Sequence, residues 1–381
     1  MNVQKICIIG DGLAGLSSAL VLSQENIKID LYIGSNFKKL KNDDRTTAIS
    51  ESSYQFIKQR FNIKNFSIFW PSKEIKLFYE DNKIINNFLN FKEKKKNLMY
   101  IFKNKELKQK LNKLIQKKKN IKLIKKNITS INCVDGNILL KKKKFFYDLI
   151  ILSTGIQSKL YNNISEGRTI EKNYKEIALT ATVTHNTKIN RVSQFFLKEG
   201  PLAILPFNKN TFSVVWSVSN IFFQNKIKFL EKTLREKIKI LPTNLKIKKI
   251  NNIESFPINL NLKIRYYKKN VLILGDGLHA VHPMAGQGFN LVLRDIKKLA
   301  ELMRNILQLG LPLKNSFLLN DFYKARKPEN NIMGLGIDLT NIFFKNHKYF
   351  SPIKRTILNK ISKFTFIKKM SQVISDKGLI T

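Results

Sequence analysis

Residues able to do chemistry gather between Val271 and Asp295. An apolar run ends there at Gly275-Asp276, and a loop with His279, His282 and Pro283 leads to Gly286-Gln287-Gly288-Phe289-Asn290. Residues 271–274 read as a buried strand, and the Gly-Asp step lets the chain turn and present a carboxylate. Gly286-Gln287-Gly288 opens an amphipathic helix through Phe289, Leu291, Leu293, Ile296 and Leu299. Free amides at a helix start attract negative charge. This strand, carboxylate, loop and helix suit a cofactor with both a hydroxylated chain and a ring that becomes anionic, a description that reduced flavin meets.

A second group lies at Gly10-Asp11-Gly12-Leu13-Ala14-Gly15, after an apolar strand at residues 5–9 and before a helix carrying Leu16, Ala19, Leu20 and Leu22. This is a GxGxxG turn with a strand before it and a helix after it. Gly10 makes the tight turn, Gly12 lets backbone approach a pyrophosphate, and Gly15 lets helix pack on strand. Alone the motif says dinucleotide; paired with Gly275-Asp276 it points to FAD rather than NAD. The next strand, Ile27–Ile33, ends at Ile33 and Gly34 without the acidic residue that often binds an adenosine ribose.

Other residues have two readings. Arg45, between a loop and a helix start, reaches the cofactor or is a solvated loop arginine. His279 and His282 are the natural candidates for a base, because histidine titrates near neutral pH, or they are hydrogen-bond partners that brace the loop. His185 reads as a surface or turn residue. Two cysteines, Cys7 and Cys133, and four scattered histidines make no metal site by spacing, so no metal is expected.

The elements that position these groups follow from periodicity. Residues 74–79 and 84–91 read as paired strands about Glu80-Asp81-Asn82. Residues 106–114 form a helix with Leu107, Leu111 and Leu114 on one face and Lys108 and Gln109 beside it. Short strands follow at 121–123, 128–133 and 138–140, and the apolar strand 147–152 stops at Ser153-Thr154-Gly155. Strands at 178–183, 194–197, 203–205 and 212–218, with turns at Gly200-Pro201 and Asn208-Lys209-Asn210, form an antiparallel run set between parallel elements. A helix at 229–240 packs on that run. The expected fold is α/β, a Rossmann-like FAD-binding domain with an inserted antiparallel-sheet substrate domain and C-terminal helices. The expected division is 1–67, 96–170 and 256–325 for the FAD-binding domain, 68–95 and 171–255 for the sheet domain, and 326–381 for a helical segment. The last helices run through Leu358, Ile361, Phe364 and Ile367, and their basic faces either pack on the protein or contact a bilayer.

The net charge of +42, from 69 Lys plus Arg against 27 Asp plus Glu, would attract nucleic acid, anionic lipid or acidic proteins. Lys, Asn, Ile and Phe are abundant throughout, which is also what an AT-rich genome encodes. A hydrophobic content of 43% is ample for a globular core. Two cysteines, one of them inside a strand, argue against a disulfide framework. The apolar run up to Leu22 looks like a signal peptide, but Asp11 interrupts it and the glycines fall at dinucleotide-turn spacing, so it is expected to be retained structure. No stretch reaches the roughly 18 uninterrupted apolar residues of a spanning helix.

Over almost the whole chain the sequence resembles the ubiquinone-biosynthesis hydroxylases, a branch of the flavoprotein aromatic monooxygenases related in fold to para-hydroxybenzoate hydroxylase. The N-terminal glycine turn carries the resemblance, as do Asp43-Asp44-Arg45-Thr46-Thr47-Ala48-Ile49-Ser50 and Gly200-Pro201-Leu202-Ala203-Ile204-Leu205-Pro206. The most specific stretch is Val281-His282-Pro283-Met284-Ala285-Gly286-Gln287-Gly288-Phe289-Asn290-Leu291-Val292-Leu293-Arg294-Asp295.

The resemblance implies FAD-dependent hydroxylation of the ring of a polyprenylated phenol or quinone precursor. NAD(P)H reduces FAD, and O₂ reaches the ring through a flavin C4a-hydroperoxide. By the same resemblance Asp276 holds the ribityl hydroxyls, Pro283 and the amides of Gly286 to Gly288 lie beside the isoalloxazine, and Arg45 and Gln109 contact the cofactor from the opposite side. The implied surroundings are a cytoplasmic location or one peripheral on the inner face of a membrane, with quinone-biosynthesis proteins as partners and no specific nucleic acid. One departure stands out: the family's Asp-Gly after the middle strand is replaced by Ser153-Thr154-Gly155, and Thr154 forms hydrogen bonds but carries no charge. Two further readings are a flavin-dependent reductase or dehydrogenase of a lipid, and a non-catalytic scaffold of a quinone-biosynthesis complex.

Overall fold

In a computed structural model the described residues are 3–34, 43–63, 67–128, 130–140, 143–165, 169–187, 190–243, 245–314, 317–345, 358 and 365–378. A six-stranded sheet runs in the order Tyr267–Lys268, Val271–Ile273, Leu149–Leu152, Gln4–Ile9, Ile27–Ile33, Ile121–Lys125. All neighbours pair in parallel except the first two. Near-continuous apolar runs such as Leu149–Leu152 suit strands covered on both faces, and all four residues there are buried. The helices Leu13–Leu22, Asn104–Ile115 and Gly288–Gln308 join this core. The N-terminal run once comparable to a signal peptide is thus the central strand, its turn and its helix.

An eight-stranded sheet follows the order His279–Ala280, Ile247–Lys263, Thr169–His185, Thr211–Ser219, Gly200–Asn208, Val192–Leu197, Glu74–Asp81, Ile84–Lys92. Its second core, with Phe195, Phe212 and Trp216, is covered by Leu234 and Ile238 of the helix Leu230–Lys239. The strand expected at 178–183 lies in the second half of the 17-residue Thr169–His185. Its partner Ile247–Lys263, equally long, was not anticipated, because Lys and Asn interrupt its alternation and Pro257 looks like a breaker. Gly200-Pro201 is not a turn: the chain turns at Lys198-Glu199, and Gly200 begins the next strand. Gly200 has φ +134, and a side chain there would meet the Ser217 carbonyl oxygen at 2.0 Å.

Two smaller sheets complete the strands. Thr46–Ser50, Met99–Lys103 and Trp70–Ser72 form one, where the sequence had suggested a loop before a helix. The lysine-rich Ser130–Asn132, Asn137–Leu140 and Lys143–Phe146 form the other. At the C-terminal end stand Leu318–Lys345, with Pro328 inside it, and Thr365–Lys377. Leu358 is buried, while Ile361 and Phe364 lie outside the described residues.

Candidate functional site

One cleft of 1620 Å³ runs from the six-stranded sheet to the inner face of the eight-stranded one. At its first end Gly10, Asp11, Gly12, Leu13 and Ala14 line the wall. Gly12 caps the helix Leu13–Leu22 without a side-chain hydrogen bond, and no acid occupies the first turn. Nothing lies within 4 Å of where a Cβ on Gly12 would stand, so backbone is open to a ligand. Gly15 does not line the cleft. A Cβ there would come within 2.2 Å of the Gly10 carbonyl oxygen and 2.6 Å of Ser153 Oγ, which makes it the packing glycine.

Gln109 is exposed and does not reach the cleft, which corrects the expectation for it. The cleft-facing side chains of Asn104–Ile115 are Asn104 and Lys108, four apart and therefore on one helical face. Lys108 Nζ lies 3.2 Å from Asp11 Oδ2. The signal was present in the sequence: Leu107 and Leu111 fix the buried face, and Gln109 falls about 200° from Leu107 at roughly 100° per residue.

In the middle of the cleft Asp276 projects from the turn after Val271–Ile273. Its carboxyl opens onto the cleft, and the enclosure pushes its pKa up against the opposing pull of His279 and Arg45. Gly275, with φ +82, packs against Ala14 instead of lining the wall. Arg45 also lines the cleft. Asp43 holds it in a fork, with Nε to Oδ1 at 2.7 Å and Nη2 to Oδ2 at 2.8 Å, and its guanidinium sits 4.9 Å from the centre of the Phe256 ring.

Pro283, Gly286, Gln287, Gly288 and Phe289 line the cleft as well. The helix Gly288–Gln308 starts without a side-chain cap or an acid in its first turn. Gln287 is 5% exposed, and its amide oxygen has no hydrogen-bond partner among the described residues. A buried orphan of this kind is costly unless a ligand or solvent group meets it. Asn290 does not line the cleft. It accepts the Ser50 N–H at 2.9 Å and donates to the Gly286 carbonyl at 3.0 Å, joining the loop to the Thr46–Ser50 strand.

The two histidines are committed to carboxylates. His279 lines the cleft, with Nε2 2.6 Å from Asp295 Oδ2. Asp295 Oδ1 in turn accepts Arg326 Nε at 2.7 Å and Asn330 Nδ2 at 3.2 Å. Burial alone would push Asp295 up, but Arg326 and His279 hold it below the usual carboxylate range. His282 lies behind the cleft wall, its Nδ1 accepting the Met284 N–H at 3.2 Å and its Nε2 3.0 Å from Glu176 Oε2. With both nitrogens engaged and the ring fully buried, His282 braces the loop and does not face the cleft as a base would.

The far wall is mostly apolar: Leu77, Leu89, Phe196, Ala203, Leu205 and Val215 line it, with Thr180 and Gln194 as polar points. Thr154 lines the near side, and both its N–H and its hydroxyl donate to the Tyr161 hydroxyl, at 3.1 and 3.0 Å. Burial pushes that phenol up to about 12, so it remains protonated. Gly34 lines the cleft too, as do Tyr32, Lys126 and Asn127, which the motifs do not mark. The uncapped helix starts, the carboxylate between them and the orphan Gln287 oxygen fit a flavin dinucleotide.

Residues 153–309 match a family described as an FAD binding domain. The chain is 24% identical, over an alignment of 402 positions, to the mitochondrial ubiquinone biosynthesis monooxygenase COQ6 of Dictyostelium discoideum, covering 84% of this chain and 80% of that protein. It is 30% identical over 118 residues to the 3-demethoxyubiquinol 3-hydroxylase of Escherichia coli K12, covering 31% of this chain and 30% of that one. In fold it is similar to p-nitrophenol 4-monooxygenase PnpA from Pseudomonas putida, with TM-score 0.77, 13% identity and 97% of each chain covered.

Proposed function

From its similarity to FAD-dependent hydroxylases of ubiquinone biosynthesis, we infer that this chain hydroxylates the aromatic ring of a polyprenylated phenol or quinone precursor, using NAD(P)H and O₂. The observation that carries the reading is the continuity of the cleft, from an uncapped helix start, past Asp276 and a second uncapped helix start, to an apolar wall. Bound FAD supplies electron transfer and oxygen activation; the chain supplies position, charge and dryness.

The amides of Leu13 and Ala14 receive the pyrophosphate at the first helix start, beside the ion pair of Lys108 with Asp11. Asp276 accepts hydrogen bonds from the ribityl hydroxyls. The uncapped start of Gly288–Gln308 would favour negative charge on a bound ring, and Pro283 would shape the loop beside it. Arg45, held by Asp43, stands across the cleft. His279 acts through position: its bond to Asp295 fixes the loop that presents Asp276. The apolar wall takes the substrate ring and tail and excludes water. We read the six-stranded sheet as the cofactor domain and the eight-stranded sheet as the substrate domain; Thr169–His185, Ile247–Lys263 and His279–Ala280 belong to the second, so the substrate sheet reaches past the limits of 171 and 255 read from the sequence.

The same reading puts the protein at a membrane surface, where polyprenyl substrates reside. Ile332, Leu335, Leu339 and Ile342 recur at helical spacing and are all exposed, which supports a face resting on lipid. No helix among the described residues is long and apolar enough to cross a bilayer.

The test is an anaerobic visible spectrum of the purified protein before and after NADH or NADPH, followed by product mass under ¹⁸O₂ with prenylphenols. The expected result is a yellow protein that bleaches and adds one labelled oxygen. Turnover without label would favour the reductase reading, and a protein that cannot take up FAD would leave the scaffold. Asp276→Ala is expected to weaken FAD retention at least about tenfold, the scale of one lost charged hydrogen bond.

A further inference from the structure

The strand Ile27–Ile33 reaches the cofactor cleft at Gly34, and neither Ile33 nor Gly34 offers the carboxylate that dinucleotide folds commonly place there for an adenosine ribose. The neighbouring strand supplies a different group. Ile27–Ile33 pairs in parallel with Ile121–Lys125, with Ile33 opposite Lys125, so the two chains leave the sheet side by side. Lys126 and Asn127 then line the same end of the cleft as Tyr32, Gly34, Gly10 and Gly12. A Cβ built on Gly34 would stand 3.2 Å from Asn127 Oδ1. The Asn127 amide therefore already reaches the place from which a side chain at position 34 would extend.

We propose that Asn127 binds the adenosine ribose of FAD, replacing from the next strand the acid absent at the end of Ile27–Ile33. The proposal rests on the FAD reading above. A carboxamide offers an acceptor oxygen and two N–H donors, so one side chain can accept from one hydroxyl of the diol and donate to the other. An ionised acid can only accept. Lys126 beside it supplies positive charge near the adenosine end.

The experiment compares dissociation constants for FAD and for FMN, which has the same ring, ribityl chain and one phosphate but no adenosine. The full chain, Asn127→Ala and Asn127→Asp are titrated by flavin fluorescence. Asn127→Ala is expected to weaken FAD about tenfold and leave FMN unchanged, and Asn127→Asp, which keeps the acceptor, to stay within about threefold of the parent. An Asn127→Ala variant that binds both FAD and FMN as the parent does would overturn the proposal while leaving the FAD reading intact. Equal loss of both flavins would overturn it too, because a change of the sheet exit would then account for the effect. A parent chain that binds neither flavin would remove the FAD reading and this proposal together.

Discussion

His282 carries the pH dependence that belongs to a single residue. Burial pushes its imidazole down to about 4 from an ordinary 6.5, and the Met284 N–H already occupies Nδ1. Between those two values the unfolded chain binds a proton at this site and the folded chain does not. Its contribution is therefore fully present above pH 6.5 and is lost as pH falls toward 4, to an extent on the order of 3 kcal/mol. Denaturant unfolding at stepped pH should show that decline in the parent, and His282→Gln should flatten it in the same window. Equal slopes in the two proteins would mean that the ring is not held neutral. His279, one turn of loop away, takes its orientation from Asp295. Both histidines were visible in the sequence; which carboxylate holds each was not, because Glu176 lies 106 positions from His282.

At the scale of elements, the helices Gly288–Gln308 and Leu318–Lys345 meet through buried charge. Arg326 bonds Asp295 at 2.7 Å and Asn330 at 3.0 Å and also pairs with Glu329. Removing one member of such a network leaves its partners buried and uncompensated, at a cost of about 3–5 kcal/mol. Arg326→Met should lower the unfolding midpoint accordingly, and adding Asp295→Asn should recover part of the loss if the two act as a pair. Strictly additive losses would show that they do not. Patterning made Ile27–Ile33 and the hairpin of Glu74–Asp81 with Ile84–Lys92 legible, since alternation and a polar turn mark them locally. Thr46–Ser50 and Ile247–Lys263 were not legible, because their strand character comes from partners far along the chain. The glycine turn and Asp276 could be read because their chemistry depends on local backbone; Lys108 and Asn127 depend on which way a neighbouring element faces.

For the whole molecule, the net charge of +42 governs how the protein meets anionic surfaces. If it reflects base composition alone, the positive field is diffuse, and it should draw the protein to any anionic surface with an attraction that salt abolishes. If the exposed apolar row on Leu318–Lys345 also enters lipid, attraction has a second part that salt does not screen. Each lysine or arginine near an anionic bilayer contributes about 1 kcal/mol within a Debye length, which is about 10 Å at 0.1 M salt. Apolar burial contributes roughly 25 cal/mol per Å² at any ionic strength. Co-sedimentation with phosphatidylserine-containing vesicles should therefore fall between about 0.05 and 0.5 M salt to a non-zero plateau. Leu335→Asp with Leu339→Asp should remove the plateau and leave most of the low-salt binding. A parent whose binding falls to zero at high salt would assign the attraction to charge alone, and the polyprenyl substrate would then have to reach the cleft by some route other than a face of this helix.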